Sequence, residues 1–130
     1  MEVKDYMSTN LVTVEPNTTV MKALDLMKAH DVHRLPVVEG DKLVGLLTAE
    51  LVAQNSPSMA TSLSVHELNY LLNKTTAKDI MLKQVITVKP TAVLEEAASI
   101  MRQQGIGVLP VLESRGNLVG IITDKDIMDA

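Results

Sequence analysis

Cysteine, phenylalanine and tryptophan are absent from this 130-residue chain, and tyrosine occurs only twice. Without cysteine there is no disulfide, no thiolate metal site and no cysteine nucleophile. The absence fits a reducing compartment, so a cytoplasmic location is expected. Without Phe and Trp there is no aromatic platform for stacking the bases of a single strand. Lys and Arg total 12 against 16 Asp and Glu, a net charge of −4. Neutralising a phosphate backbone needs a basic patch, so nucleic acid is not an expected partner. No apolar run approaches the roughly 20 residues that span a bilayer. Met1 opens a charged segment rather than a signal peptide, so no membrane association is expected. There is no Walker glycine loop, no nucleophile–base pair and no metal-ligand spacing, so nothing supports an enzyme. His30 and His66 stand alone on helix surfaces, and Glu95-Glu96 reads as a solvated helix face rather than an acid/base pair.

What the chain does contain, it contains twice. Lys4-Asp5-Tyr6-Met7 returns as Lys78-Asp79-Ile80-Met81, and Thr13-Val14-Glu15-Pro16 as Thr87-Val88-Lys89-Pro90. Leu35-Pro36-Val37-Val38-Glu39 returns as Leu109-Pro110-Val111-Leu112-Glu113. Leu43-Val44-Gly45-Leu46-Leu47-Thr48 returns as Leu118-Val119-Gly120-Ile121-Ile122-Thr123. A duplication of this kind makes two similar units. Each repeat is too short to bury a comfortable core alone, so the two are expected to pack together around a pseudo-twofold cleft.

Each repeat reads as helix, strand, helix, strand, strand, helix, the first helix being no more than a turn. Val3–Met7 is a single turn and Leu11–Val14 a short strand closed by Pro16. Asn17 and Thr18 are the expected caps of a helix bearing Val20, Ala23, Leu24 and Met27 at i, i+3, i+4 and i+7. Leu94, Ala97, Ala98 and Met101 repeat that stripe. Met7, Met27, Met81 and Met101 recur in register and read as core. Arg34–Glu39 and Leu43–Thr48 form a hairpin around Gly40-Asp41, and Val108–Glu113 and Asn117–Thr123 another around Ser114-Arg115-Gly116. Gln54–Ala60 reads as a loop. Ser64-Val65-His66-Glu67 has the form of a capping box opening a docking helix through Val65, Leu68, Leu71 and Leu72. Thr76-Ala77-Lys78-Asp79 is a second capping signal. The expected division is residues 1–55, a linker with its docking helix over 56–75, and residues 76–130. Asp124–Ala130 reads as a short terminal helix, or as a chain cut before a further domain.

These paired elements resemble tandem cystathionine-β-synthase (CBS) domains, the pair known as a Bateman module. The stretch Ser56–Leu72 is similar to that of bacterial acetoin-utilisation accessory proteins, which often carry a C-terminal ACT domain after the pair. The resemblance implies an α+β fold of two pseudo-twofold-related units. Each would be a small three-stranded sheet covered by helices, with the units packed sheet to sheet. It also implies a homodimer, and clefts that hold an adenosyl ligand such as AMP, ADP or ATP.

The resemblance places a ribose-binding Asp in a G-h-h-T-x-x-D motif (h is apolar). Gly120-Ile121-Ile122-Thr123-Asp124-Lys125-Asp126 keeps it; the first repeat has Leu51 at that position. Phosphate is met by basic residues before the strand proline. His33-Arg34-Leu35-Pro36 supplies them, whereas Gly107-Val108-Leu109-Pro110 supplies none. In the family architecture Asp126 and the His33-Arg34 pair face one cleft, which leaves one competent site and one degenerate one. Met7, Asn10 and Pro36 complete the implied lining. On chemistry, a carboxylate accepts from both ribose hydroxyls, and an Arg fork suits phosphate oxygens. Leu11, Val12 and Val32 would wall the adenine. Thr123 marks a helix start whose N–H groups favour an anion; it is equally a cap, as its counterpart Thr48 suggests. The bland alternatives are a helix-start carboxylate for Asp126 and a surface ion pair for Arg34. The expected function is a regulatory nucleotide sensor, with a vestigial-site dimerisation scaffold as the alternative.

Overall fold

The computed structural model describes residues 1–55 and 65–130. A 3-10 turn, Val3–Asp5, is followed by α1 (Val20–His30), β1 (Arg34–Glu39), β2 (Lys42–Thr48) and α2 (Ala49–Asn55). Then come α3 (Val65–Lys74), α4 (Ala77–Ile80), α5 (Leu94–Gln104), β3 (Val108–Leu112), β4 (Leu118–Thr123) and α6 (Asp124–Met128). The fold is mixed α and β, with two small sheets, β1 paired to β2 and β3 to β4.

The β3–β4 pair is antiparallel, with Val108 opposite Thr123 and Val111 opposite Gly120. Its register slips between Val111 and Leu112. Gly116, at φ 85°, closes its turn in a conformation that side chains avoid. The strand expected over Leu11–Val14 is reduced to one residue. Val14 makes a parallel bridge to Val37, its N–H donating to the Pro36 carbonyl at 3.0 Å. Pro16, two residues on, has no N–H to extend a ladder. Val88 makes the matching bridge to Val111.

Helix α1 buries Val20, Ala23 and Met27, and α5 buries Leu94, Ala97 and Met101, as the stripes required. The cap of α1 is Thr19, whose Oγ1 accepts from the Lys22 N–H at 3.2 Å. Neither Asn17 nor Thr18 caps it. Thr18 Oγ1 instead accepts from the Glu15 N–H at 3.0 Å, closing a turn just before the helix. Gln54 and Asn55, expected in a loop, complete α2, and the Asn55 amide donates to the Leu51 carbonyl at 2.8 Å. The rest of that loop and the Ser64 cap lie outside the described residues, as do the side chains of Val65, Leu68 and Leu71. Leu72 of α3 packs against the unit B core, and α3 lies against α1. The capping signal at Thr76 holds: Asp79 Oδ2 accepts from the Thr76 N–H at 2.8 Å.

The chain forms two compact units that cut across the repeats. Unit A comprises Met1–Leu11, Gly40–Leu43 and Val85–Ala130; unit B comprises Val12–Glu39 and Val44–Gln84. The leading segment of each repeat therefore packs with the body of the other. In unit A, Val3 and Lys4 donate to the Ala92 and Pro90 carbonyls, and Ser8 bridges Ile121. In unit B, Ala77 and Lys78 donate to Thr18 and Pro16, and Leu82 bridges Leu46. Each unit has its own aliphatic core, Leu109, Val111 and Ile122 centring one and Leu35, Val37 and Leu47 the other.

Candidate functional site

The expected site residues fall into two groups, one in each unit. Unit B holds Val12, Val32, His33, Arg34 and Pro36 on β1 and the chain entering it. Leu35, Pro36 and Val37 are buried, which fixes the strand, while His33 and Arg34 at its entrance are exposed. Val12 and Val32 are half-buried and pack against the unit B core. Among the described residues Arg34 has no hydrogen-bond or ion-pair partner, so the surface ion pair considered for it does not form. Its guanidinium is available to an anion.

Unit A holds Met7, Asn10, Leu11, Thr123 and Asp126. The antiparallel bridge from Ser8 to Ile121 lays the Met7 segment along β4, upstream of Thr123. Gly120 makes this approach close: a Cβ there would collide with the Met7 sulfur. Gly45 seats Met81 in unit B the same way, with Sδ 2.5 Å from the position a Cβ would take. Sequence reading placed these methionines in the core but missed their glycine seats. The recurrence of Val-Gly beside the recurrent Lys-Asp-x-Met was the available signal.

Asp126 and Thr123 form a reciprocal cap on α6. Asp126 Oδ2 accepts from the Thr123 N–H at 2.9 Å, and Thr123 Oγ1 accepts from the Asp126 N–H at 3.3 Å. The intervening N–H groups are also taken, Asp124 donating to the Gly107 carbonyl at 2.9 Å and Lys125 to Asp124 Oδ1 at 2.8 Å. The open helix-start N–H groups expected to receive a phosphate are thus occupied by the chain itself. What remains at this end is the second Asp126 oxygen, on a half-buried side chain. The cap orients that carboxylate. In the first repeat Thr48 Oγ1 caps the Leu51 N–H at 3.0 Å, but Leu51 has no carboxylate to return.

A second asymmetry lies at the strand entrance, where Gly107 stands in place of His33. A Cβ on Gly107 would stand 2.9 Å from Asp124 Oδ2. The matching positions of the first repeat are His33 and Ala49, joined by the same backbone bond, Ala49 N–H to the His33 carbonyl at 2.8 Å. Each repeat thus holds one small and one large residue at this corner, in opposite order. Among the described residues no group of His, Asp or Glu is placed to hold a metal ion. No helix among them is long and apolar enough to cross a membrane.

The family model for the CBS domain matches residues 3–54 and again 77–130. The chain belongs to the CBS domain family. Three solved structures share the fold over nearly the whole chain. The acetoin utilization protein AcuB from Vibrio cholerae is 31% identical at a TM-score of 0.81, covering 99% of this CBS pair and 88% of that chain. CBSX2, solved in complex with AMP, is 29% identical at a TM-score of 0.81, covering 98% of this chain and 93% of that one. A CBS domain pair solved with 5′-methylthioadenosine and S-adenosyl-L-methionine is 28% identical at a TM-score of 0.79, covering 99% and 94%.

Proposed function

We propose that this CBS pair is a cytoplasmic regulatory module that binds one adenine nucleotide, AMP, ADP or ATP. Asp126 would hold the ribose, and His33 and Arg34 the phosphate. Met7, Asn10, Leu11, Val12, Val32, Pro36 and Thr123 would line the cleft. The observation that carries the reading is the split of functional groups between the repeats. The oriented carboxylate is at Asp126 and not Leu51; the exposed, unpaired cation is at Arg34 and not Val108. The AMP complex of CBSX2 supports the ligand class. A short phosphate chain suits the His33-Arg34 pair better than a cationic sulfonium does, since like charges repel. The signal would be a shift in the arrangement of the pair, or of two pairs in a homodimer, passed to an attached domain such as ACT or to a partner. It requires the ligand to favour one arrangement over another.

Isothermal titration of AMP and ATP into the wild type, Arg34→Ala and Asp126→Asn tests this. Each variant is expected to bind at least about tenfold more weakly, the worth of one charge-assisted hydrogen bond. Unchanged affinity in both removes the site. A second reading rests on the cap itself: Asp126 has a structural task without any ligand, so the pair could be a dimerisation scaffold with a vestigial site. A thermal-shift panel separates the two. Ligand at about 100 times its dissociation constant adds about 2.7 kcal/mol of stability, and no shift with any adenosyl compound favours the scaffold.

A further inference from the structure

Unit A carries an open cavity of about 710 Å³, within the size range of small-molecule pockets. It lies between the chain before α5, one face of α5 and the end of β3. Its apolar lining is aliphatic, with Val88, Ile100 and Leu112, and its charged lining is Lys89, Glu96 and Glu113. Both signs therefore face one concavity. Yet among the described residues none of the three charges is in an ion pair. Unlike charges that share a cavity without meeting leave room for a molecule that meets both. In the first repeat the matching positions are Glu15, Lys22 and Glu39, so one cation and two carboxylates recur, with the cation moved from the segment before the helix onto the helix. The groove on α1 in unit B is lined by Lys22 and Asp25 but not by Glu15.

We propose that this cavity is a second ligand site, and that it takes an α-amino acid with an aliphatic side chain. The α-carboxylate pairs with Lys89, the α-ammonium with Glu96 and Glu113, and the side chain packs on Val88, Ile100 and Leu112. Charge-assisted hydrogen bonds at both ends of a short zwitterion supply orientation as well as affinity. A nucleotide is disfavoured here, because two carboxylates against one ammonium repel phosphate. The proposal does not depend on the nucleotide reading.

The test is a ¹⁵N NMR titration of the full chain with L-leucine, beside isocaproate and isopentylamine, which each keep one of its two charges. L-Leucine is expected to give saturable shifts confined to residues 87–116. Lys89→Ala and Glu96→Gln are each expected to weaken it by about tenfold or more, and the single-charge probes to bind weaker by a similar factor. Both side chains are exposed, so the variants should melt as the wild type does. No saturable response at millimolar L-leucine, shifts mapping elsewhere, or wild-type affinity in both variants would overturn the proposal. A parallel AMP titration keeps the two sites apart: its failure would remove the nucleotide site and leave this one standing.

Discussion

Substituting alanine for Gly120 puts a methyl group where the Met7 side chain lies. The new Cβ would overlap the Met7 sulfur and stand 2.9 Å from Met7 Cγ and 3.1 Å from the Ser8 carbonyl oxygen. Carbon atoms in contact prefer roughly 3.5–4.0 Å, so Met7 must leave its seat. Met7 is partly buried against the unit A core; losing about half the burial of such a side chain costs about 1 kcal/mol. Pressure on the Ser8 carbonyl strains the bridge in which the Ser8 N–H donates to Ile121 at 2.8 Å and Ile121 donates back at 3.0 Å. That adds about 1 kcal/mol, for a total near 2 kcal/mol, inside the usual range for overpacking. In a domain of this size the melting temperature should fall by about 6–8 °C. Urea denaturation of Gly120→Ala, Met7→Ala and the double variant closes the cycle. With Met7 already truncated, Gly120→Ala should cost under about 1 kcal/mol, a coupling of about 1 kcal/mol. A neutral Gly120→Ala, or an equal loss in both backgrounds, refutes the seat.

Asp31 ends α1 at φ 52°, where Gly105 ends α5 at φ 64°. Asp31→Gly should raise stability by about 0.5 kcal/mol, the relief of left-handed strain less the added unfolded-state entropy, measurable by urea midpoint. Gly107→Ala should cost about 1 kcal/mol or less, because the exposed Asp124 carboxylate must rotate and give up its bond to the Lys125 N–H. With Asp124→Ala already in place, thermal melts should find Gly107→Ala nearly neutral. Asp79 titrates below its ordinary 3.8, first because the Thr76 N–H and then because the Thr76 hydroxyl donate to its ionised form, with Lys78 adding attraction. Its contribution is therefore full above the ordinary carboxylate range and is lost as pH falls through the lowered value. The stability difference between wild type and Asp79→Ala should shrink as the medium is acidified, read from urea midpoints across pH.

The sequence by itself determined the duplication, the hairpins and the buried stripes. Repetition is visible letter by letter, and helix and strand periods are local properties of the chain. It determined also that Asp126 and the His33-Arg34 pair have no counterparts in the other repeat, since that asymmetry is one of composition. Caps were legible only to within a residue or two, because Thr18 and Thr19 are both competent acceptors and the turn at Glu15 chose between them. Tertiary structure alone decided that the leading segment of each repeat packs on the body of the other. Nothing local distinguishes that exchange from packing at home, since the contacts it satisfies lie far off along the chain, as Val3 to Ala92 and Ala77 to Thr18 do. It decided too that the helix-start N–H groups around Thr123 are filled, because the Gly107 carbonyl reaches Asp124 only once β3 and β4 have paired.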